Sequence, residues 1–387
     1  MIYFDYNSTS PMDPRVLSEM LPYFSNHFGN AMNQTHLLGF EAAKAIEKAR
    51  NQVSHLLGCS ASEVTFTSGA TESNNWVLQK TFDHFLQNSL TKVNIISTPI
   101  EHSSVLSTLN YLKNLGAKIE FVNVSDQGVV DFEHLKSLVR PETKLISCMW
   151  VNNEIGTIQD VERLGQFCEE KNILLHSDAT QAVGKVKIDL KKIKIDFLTF
   201  SSHKFYGPKG AGILYHRQQV TPKKITLAPL ILGGGHEEGL RSGTSNTPLI
   251  VGLGKSCELI ETEFDQQFEF CKNFQNQLWS KLKSEFRSVK LNGPEIGPQR
   301  SVQNLNVSFP VHQVPASFPQ MCVSKGSACL SNGVSTSKVL TAIGLNESQA
   351  QKTIRFSFGK FCKLEEIDQA IEILKKSLKL DQTDMSK

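Results

Sequence analysis

The 387 residues hold only eight cysteines, and no two of them stand in a Cys-x-x-Cys arrangement. So few thiols in so long a chain exclude a disulfide framework, and the spacing excludes the usual zinc and thioredoxin-type sites; no metal is expected. The pattern points to a reducing compartment, the cytoplasm, with free cysteines. No uninterrupted apolar run approaches the roughly eighteen residues of a spanning helix. The opening Met1-Ile2-Tyr3-Phe4-Asp5 lacks the basic region and apolar core of a signal peptide. Charge of one sign is lacking too: 41 Lys and Arg stand against 38 Asp and Glu, a net +3 without blocks. Nucleic acid and membrane surfaces therefore find no electrostatic footprint. What remains, at 40% hydrophobic and 20% charged, is an ordinary globular composition long enough for two or three domains.

Hydrophobic periodicity orders the chain. Ala42, Ala45, Ile46, Ala49, Val53 and Leu56 recur at helical spacing, and Gly58 stands where such a helix ends. Apolar runs at 64–67, 93–97, 119–124, 145–151, 173–177 and 197–201 read as strands, separated by helices near 73–80, 104–115, 131–138 and 162–170. This alternation predicts an α/β fold with a mostly parallel sheet covered by helices. A long helix over 249–286 leads to strands at 305–309 and 354–358 and a last helix at 364–378. These build a smaller α/β domain. We place the large domain at 14–260 and the small one at 1–13 and 261–387, with a frayed end at 381–387.

Polar residues gather at the carboxyl ends of the predicted strands: Ser68-Gly69-Ala70-Thr71-Glu72, Glu101-His102, Asn152-Asn153-Glu154, Asp178-Ala179-Thr180-Gln181 and Ser201-Ser202-His203-Lys204. Open α/β sheets bind ligands there. Each cluster alone has a plainer reading, since Ser68-Gly69-Ala70-Thr71 can be a helix cap and a lone His102 a hydrogen-bonding residue. Lys204 is different, because a lysine at the end of an apolar strand is costly to bury. Lys204 and Asp178 together with a phosphate-binding turn suit pyridoxal phosphate. That cofactor takes a lysine amine as a Schiff base and a carboxylate at its ring nitrogen. Backbone N–H groups and hydroxyls at Ala70, Thr71 and Ser201, with His203, suit its phosphate.

Several runs carry a family resemblance: Phe4 to Pro11, Phe66 to Asn74, Val151 to Gly156, Asp178 to Gln181, Ser202 to Gly210, Gly233 to Glu237, Arg241 to Thr244 and Gly326 to Cys329. From residue 2 to about 378 the chain resembles cysteine desulfurases of the NifS/IscS type, with the motifs in the family's order. The resemblance implies a fold-type I pyridoxal-phosphate dimer. Lys204 would carry the cofactor and move the substrate α-proton, Asp178 would pair with the pyridinium nitrogen, and Gln181 would reach the phenolic oxygen. His102 would stack on the ring and act as an acid–base group. Asn153 would lie near the substrate and the phenolic oxygen. Arg355 would fork onto the carboxylate of L-cysteine, and Thr244 would reach the phosphate of the neighbouring subunit.

Cys329 decides the reaction. Its neighbours Ser324, Gly326, Ser327, Ala328, Ser331, Asn332 and Gly333 are small or polar, as in an exposed loop, and Lys325 could lower its pKa. The implied chemistry is attack of the Cys329 thiolate on the substrate sulfur, leaving alanine and a persulfide for a sulfur-acceptor protein such as an iron–sulfur scaffold. Cys148 and Cys322 read as packing, and Cys59, Cys168, Cys257, Cys271 and Cys362 as structural or surface thiols. A selenocysteine lyase or an aminotransferase on the same fold is the alternative.

The chain departs from the family in two internal places. The loop Asn30 to His36 lacks the usual proline and serine and has Gln34 in place of an arginine. Pro310, Pro315 and Pro319 occupy a stretch that is helical in the family, where proline breaks helices.

Overall fold

A computed structural model describes residues 1–88, 93–218, 225, 227–325 and 337–378. Cys329 with its loop, and the chain end at 381–387, lie outside the described residues. Strand β1 is Ile2–Tyr3. Seven strands then make the main sheet: β2 (Val64–Thr67), β3 (Asn94–Ser97), β4 (Lys118–Phe121), β5 (Thr143–Ser147), β6 (Leu174–Asp178), β7 (Phe197–Ser201) and β8 (Gly212–His216). Their order is β2-β8-β7-β6-β5-β3-β4. Strands β3 to β7 run parallel, and β8 is antiparallel to both neighbours, β2 and β7. Strand β8 adds to the six predicted strands, and β4 is shorter than the predicted 119–124. The chain leaves the sheet after Phe121 because Val124 turns back to pair with Val130.

Helices cover the sheet. Leu37–Leu57 buries Ala42, Ala45, Ile46, Ala49 and Val53, and closes on Gly58 at φ 68°, where a glycine avoids the left-handed penalty. It packs on the 39-residue helix Thr247–Glu285. There a Cβ on Gly254 would stand 2.6 Å from that of Ala49, so only glycine allows the approach. The long helix serves two cores. Ile250, Leu253, Cys257 and Ile260 face the large one, while Phe274, Leu278 and Leu282 face the smaller. Each fully buried large apolar side chain contributes about 1.5–3 kcal/mol.

The smaller unit holds β9 (Lys290–Leu291), β10 (Asn304–Ser308), β11 (Met321–Cys322) and β12 (Thr353–Ser357). Strands β12-β10-β9 form an antiparallel sheet, and β1 pairs in parallel with β11. No helix forms over 310–320, as the prolines require. Phe4 and Tyr6 lie in this core, so the first residues pack against strands more than 300 positions away.

Candidate active site

The parallel strands end together, and their ends build the site. Asp178 closes β6 opposite Thr199 of β7, and the single helical turn Ser202–Lys204 carries the chain from β7 to Lys204. One cavity is lined by Ala70, Thr71, His102, Asn153, Asp178, Gln181, Ser201, His203, Lys204 and Arg355. Residues from five strand ends and from β12 thus meet in one place. Thr244 is exposed and stands outside that wall, as does Gln34. Asn7, Ser8, Met149, Val151 and Thr180 also line the cavity, beyond the site residues expected from the sequence. Asn7 and Ser8 sit in the Phe4–Pro11 run and Thr180 between Asp178 and Gln181, so the motifs held the signal.

Asp178 is buried and accepts from Thr180 N at 2.9 Å and from Asn74 Nδ2 at 2.7 Å. Asn74 also donates to Ser104 Oγ at 2.9 Å, and that hydroxyl meets His102 Nδ1 at 2.9 Å. A buried chain of hydrogen bonds therefore joins Asp178 to His102. His102 Nδ1 accepts the Ser104 N–H at 3.2 Å, so the neutral ring carries its proton on Nε2. Burial holds the His102 pKa below the ordinary value and Lys204 adds to this, while Asp178 opposes. His203 is pushed down to about 4 by burial and by Lys204 and Lys209, so it too is a neutral ring at pH 7.

Lys204 Nζ donates to the carbonyls of Asn7 at 2.8 Å and Ser8 at 2.6 Å. Arg355 lies on β12 with a buried guanidinium. Its Nη1 donates to Asn153 O at 3.0 Å, and its Nη2 to Asp5 Oδ1 at 2.7 Å and Ser8 Oγ at 2.9 Å. Its Nε, and the buried Thr180 hydroxyl, have no hydrogen-bond partner among the described residues. Such groups are costly to leave unmatched and mark places where a polar ligand satisfies the wall.

The helix Ala70–Asn88 opens at the cavity, with Ala70 N donating to Ser201 Oγ at 2.6 Å. A Cβ on Gly212 would stand 2.4 Å from Gly69 Cα, so the turn lies directly against β8. The donor set fits pyridoxal phosphate: an acceptor at Asp178, an amine at Lys204, and a 19-residue helix start for an anion. Among the described residues no group of His, Cys, Asp or Glu suits a metal ion.

Seven cysteines are described, and none of them is in a disulfide. Burial pushes Cys59 and Cys271 up to about 12, Cys362 up to about 11, and Cys148 and Cys257 upward as well, so none of these five is a ready nucleophile. Ser324 and Ser337, described residues on either side of Cys329 in the sequence, are held by Arg355 and Glu154. Ser324 N and O pair with Arg355 at 3.2 and 2.7 Å, and Ser337 Oγ donates to Glu154 Oε2 at 2.5 Å.

The aminotransferase class-V family model matches residues 2–370. The mitosomal cysteine desulfurase of Trachipleistophora hominis is 42% identical over 95% of this chain and 84% of its own. A solved structure titled NifS-like protein superposes with a TM-score of 0.86 at 38% identity, covering 97% of this chain and 98% of that one. A second, titled SspA in complex with cysteine, gives 0.80 at 35% identity, covering 92% and 99%.

Proposed function

This chain belongs to the aminotransferase class-V family, among its cysteine desulfurases, and we propose that it moves the sulfur of L-cysteine to Cys329 and releases L-alanine. Enzymes of this group depend on pyridoxal phosphate, which supplies an electron sink for the bond at the substrate α-carbon. Lys204 would hold the cofactor through its amine, and that amine is the group that would take up the α-proton. The Asp178 carboxylate would accept the ring N–H, Asn153 and Gln181 would serve the phenolic oxygen, and His102 would stack on the ring; all four line the cavity. Ala70, Thr71, Ser201 and His203, which line the same cavity, would hold the phosphate.

The Arg355 guanidinium forks onto the substrate carboxylate. The Cys329 thiolate then attacks the substrate sulfur. An S–S bond forms and the Cβ–S bond breaks with its electron pair going to Cβ. Protonation of Cβ completes alanine, and the persulfide stays on Cys329. His102 Nε2–H is a proton donor within this wall.

The observation that carries this reading is the backbone pairing of Ser324 with Arg355. Cys329 stands five positions after Ser324, an extended reach of roughly 17 Å at about 3.4 Å per residue. That reach lets the thiol be placed at the substrate, and the persulfide would then pass to an acceptor protein, which we take to be an iron–sulfur scaffold.

The exposed apolar side chains Phe24, Phe28, Leu37, Phe40 and Leu232 support a homodimer. In it Thr244, outside its own cavity, would serve the partner's phosphate.

The test is release of alanine from L-cysteine and a thiol by purified protein, with Cys329→Ser in parallel. Equal alanine and sulfide from the wild type, lost in the variant, is the expected result. Undiminished alanine from Cys329→Ser would remove Cys329 from the mechanism.

A further inference from the structure

Lys185 has no part in the chemistry above, yet it is buried, with 3% of its surface exposed, directly behind the cavity wall. It stands four residues after Gln181 in a helical turn held by Val183 N to Ala179 O and Lys185 N to Ala182 O, so the two side chains share a face. Its amine donates to Gln181 Oε1 and, at 3.0 Å, to Asn7 Oδ1. Lys204 and Arg355 face it electrostatically, as does Cys271 from the long helix. Burial pushes its pKa down to about 7, and a neutral amine still keeps two N–H donors for these two oxygens.

Each of these amides has one oxygen and one NH2. When the oxygen is claimed, the NH2 must point the other way. Gln181 Nε2 accordingly donates at 2.9 Å to Asn7 O, the carbonyl that also receives Lys204. Asn7 Nδ2 donates at 3.1 Å to Asn153 O, the carbonyl that also receives Arg355. One amine thus sets the sense of two amides, and both lead to residues of the wall.

We propose that Lys185 is a positioning residue that fixes the Gln181 and Asn7 amides, so that Gln181 presents N–H rather than C=O to the phenolic oxygen of pyridoxal phosphate. This rests on the role given to Gln181 above. Without Lys185 the Gln181 amide is free to turn over and set its oxygen against another oxygen.

The experiment compares wild type, Lys185→Met, Gln181→Ala and the double variant, each stripped of cofactor and reloaded with pyridoxal phosphate. The readouts are the absorption maximum of the bound cofactor, the pH at which that band changes, and the dissociation constant for pyridoxal phosphate. Lys185→Met and Gln181→Ala should move the band in the same direction, and the double variant no further than Gln181→Ala. Affinity should fall about tenfold in Lys185→Met, the scale of one hydrogen bond. Lys185→Gln, which keeps an N–H donor, is read beside it and should fall between wild type and Lys185→Met; it carries the test should the methionine variant not fold. A wild-type band in Lys185→Met, with a displaced band in Gln181→Ala, overturns the proposal. An unmoved band in Gln181→Ala shows instead that the assignment of Gln181 fails, and the proposal falls with it.

Discussion

Asn74 spends both protons of its side-chain amide on the site: one on Asp178 Oδ2 at 2.7 Å, the other on Ser104 Oγ at 2.9 Å. Replacing it with alanine leaves two buried oxygens without that donor. Asn74→Ala should lower stability by roughly 1–3 kcal/mol, measured by denaturant unfolding of the stripped protein. The variant should also bind pyridoxal phosphate more weakly, because Asp178 loses a fixed orientation.

Arg355→Lys keeps the charge and loses the fork. A lysine cannot hold Asn153 O and Asp5 together while offering a further N–H to a substrate carboxylate. Steady-state alanine release should show KM for L-cysteine raised about 10- to 100-fold, the scale of a lost charged hydrogen bond, with kcat less affected.

Glu101 is buried behind the site, where it accepts from Thr98 Oγ1 and Met149 N, each at 2.8 Å. Burial pushes its pKa up to about 8 against 4.5 for an ordinary glutamate, although both hydrogen bonds oppose this. Between those pH values the folded chain holds one proton more than the unfolded chain at this position, so rising pH favours unfolding. The effect is about 1.4 kcal/mol per pH unit across that interval. Denaturant unfolding of wild type and Glu101→Gln from pH 5 to 8 isolates this group, and the variant should lose that share of the slope.

Thr180→Val removes a buried hydroxyl that no described residue satisfies. The stripped variant should melt no lower than wild type, while its affinity for pyridoxal phosphate falls several-fold if that hydroxyl serves the cofactor. Thermal melts with and without cofactor separate the two effects.

Which parts of this were legible beforehand has a physical basis. Strands β2 to β7 are short apolar runs with polar ends, and the parallel sheet follows from their alternation with helices. Asp178, Lys204 and Gln181 announced themselves as costly or polar groups at those ends. Asn7 and Ser8 are marked only by the Phe4–Pro11 run, because each also serves the site through a backbone carbonyl, which no residue type signals. Lys185 was silent: a lysine at helical spacing from a glutamine reads as a solvated face until the fold buries it. Strand β8 is a five-residue apolar run after a glycine loop, and its antiparallel course is fixed by β2 and β7 together, a long-range fact.

The pairing of β1 with β11, and of Asp5 with Ser324 and Arg355, sets the order in which the protein can be completed during its synthesis. Asp5 leaves the ribosome 350 residues before Arg355, an interval on the order of tens of seconds at 5–20 residues per second. For that time the carbonyls destined for Lys204, those of Asn7 and Ser8, belong to an unplaced turn. The large sheet can form co-translationally, but the wall of its catalytic cleft closes only after the last strand has been made. A ribosome stalled before residue 353 should therefore hold a chain with a folded sheet and an open cleft.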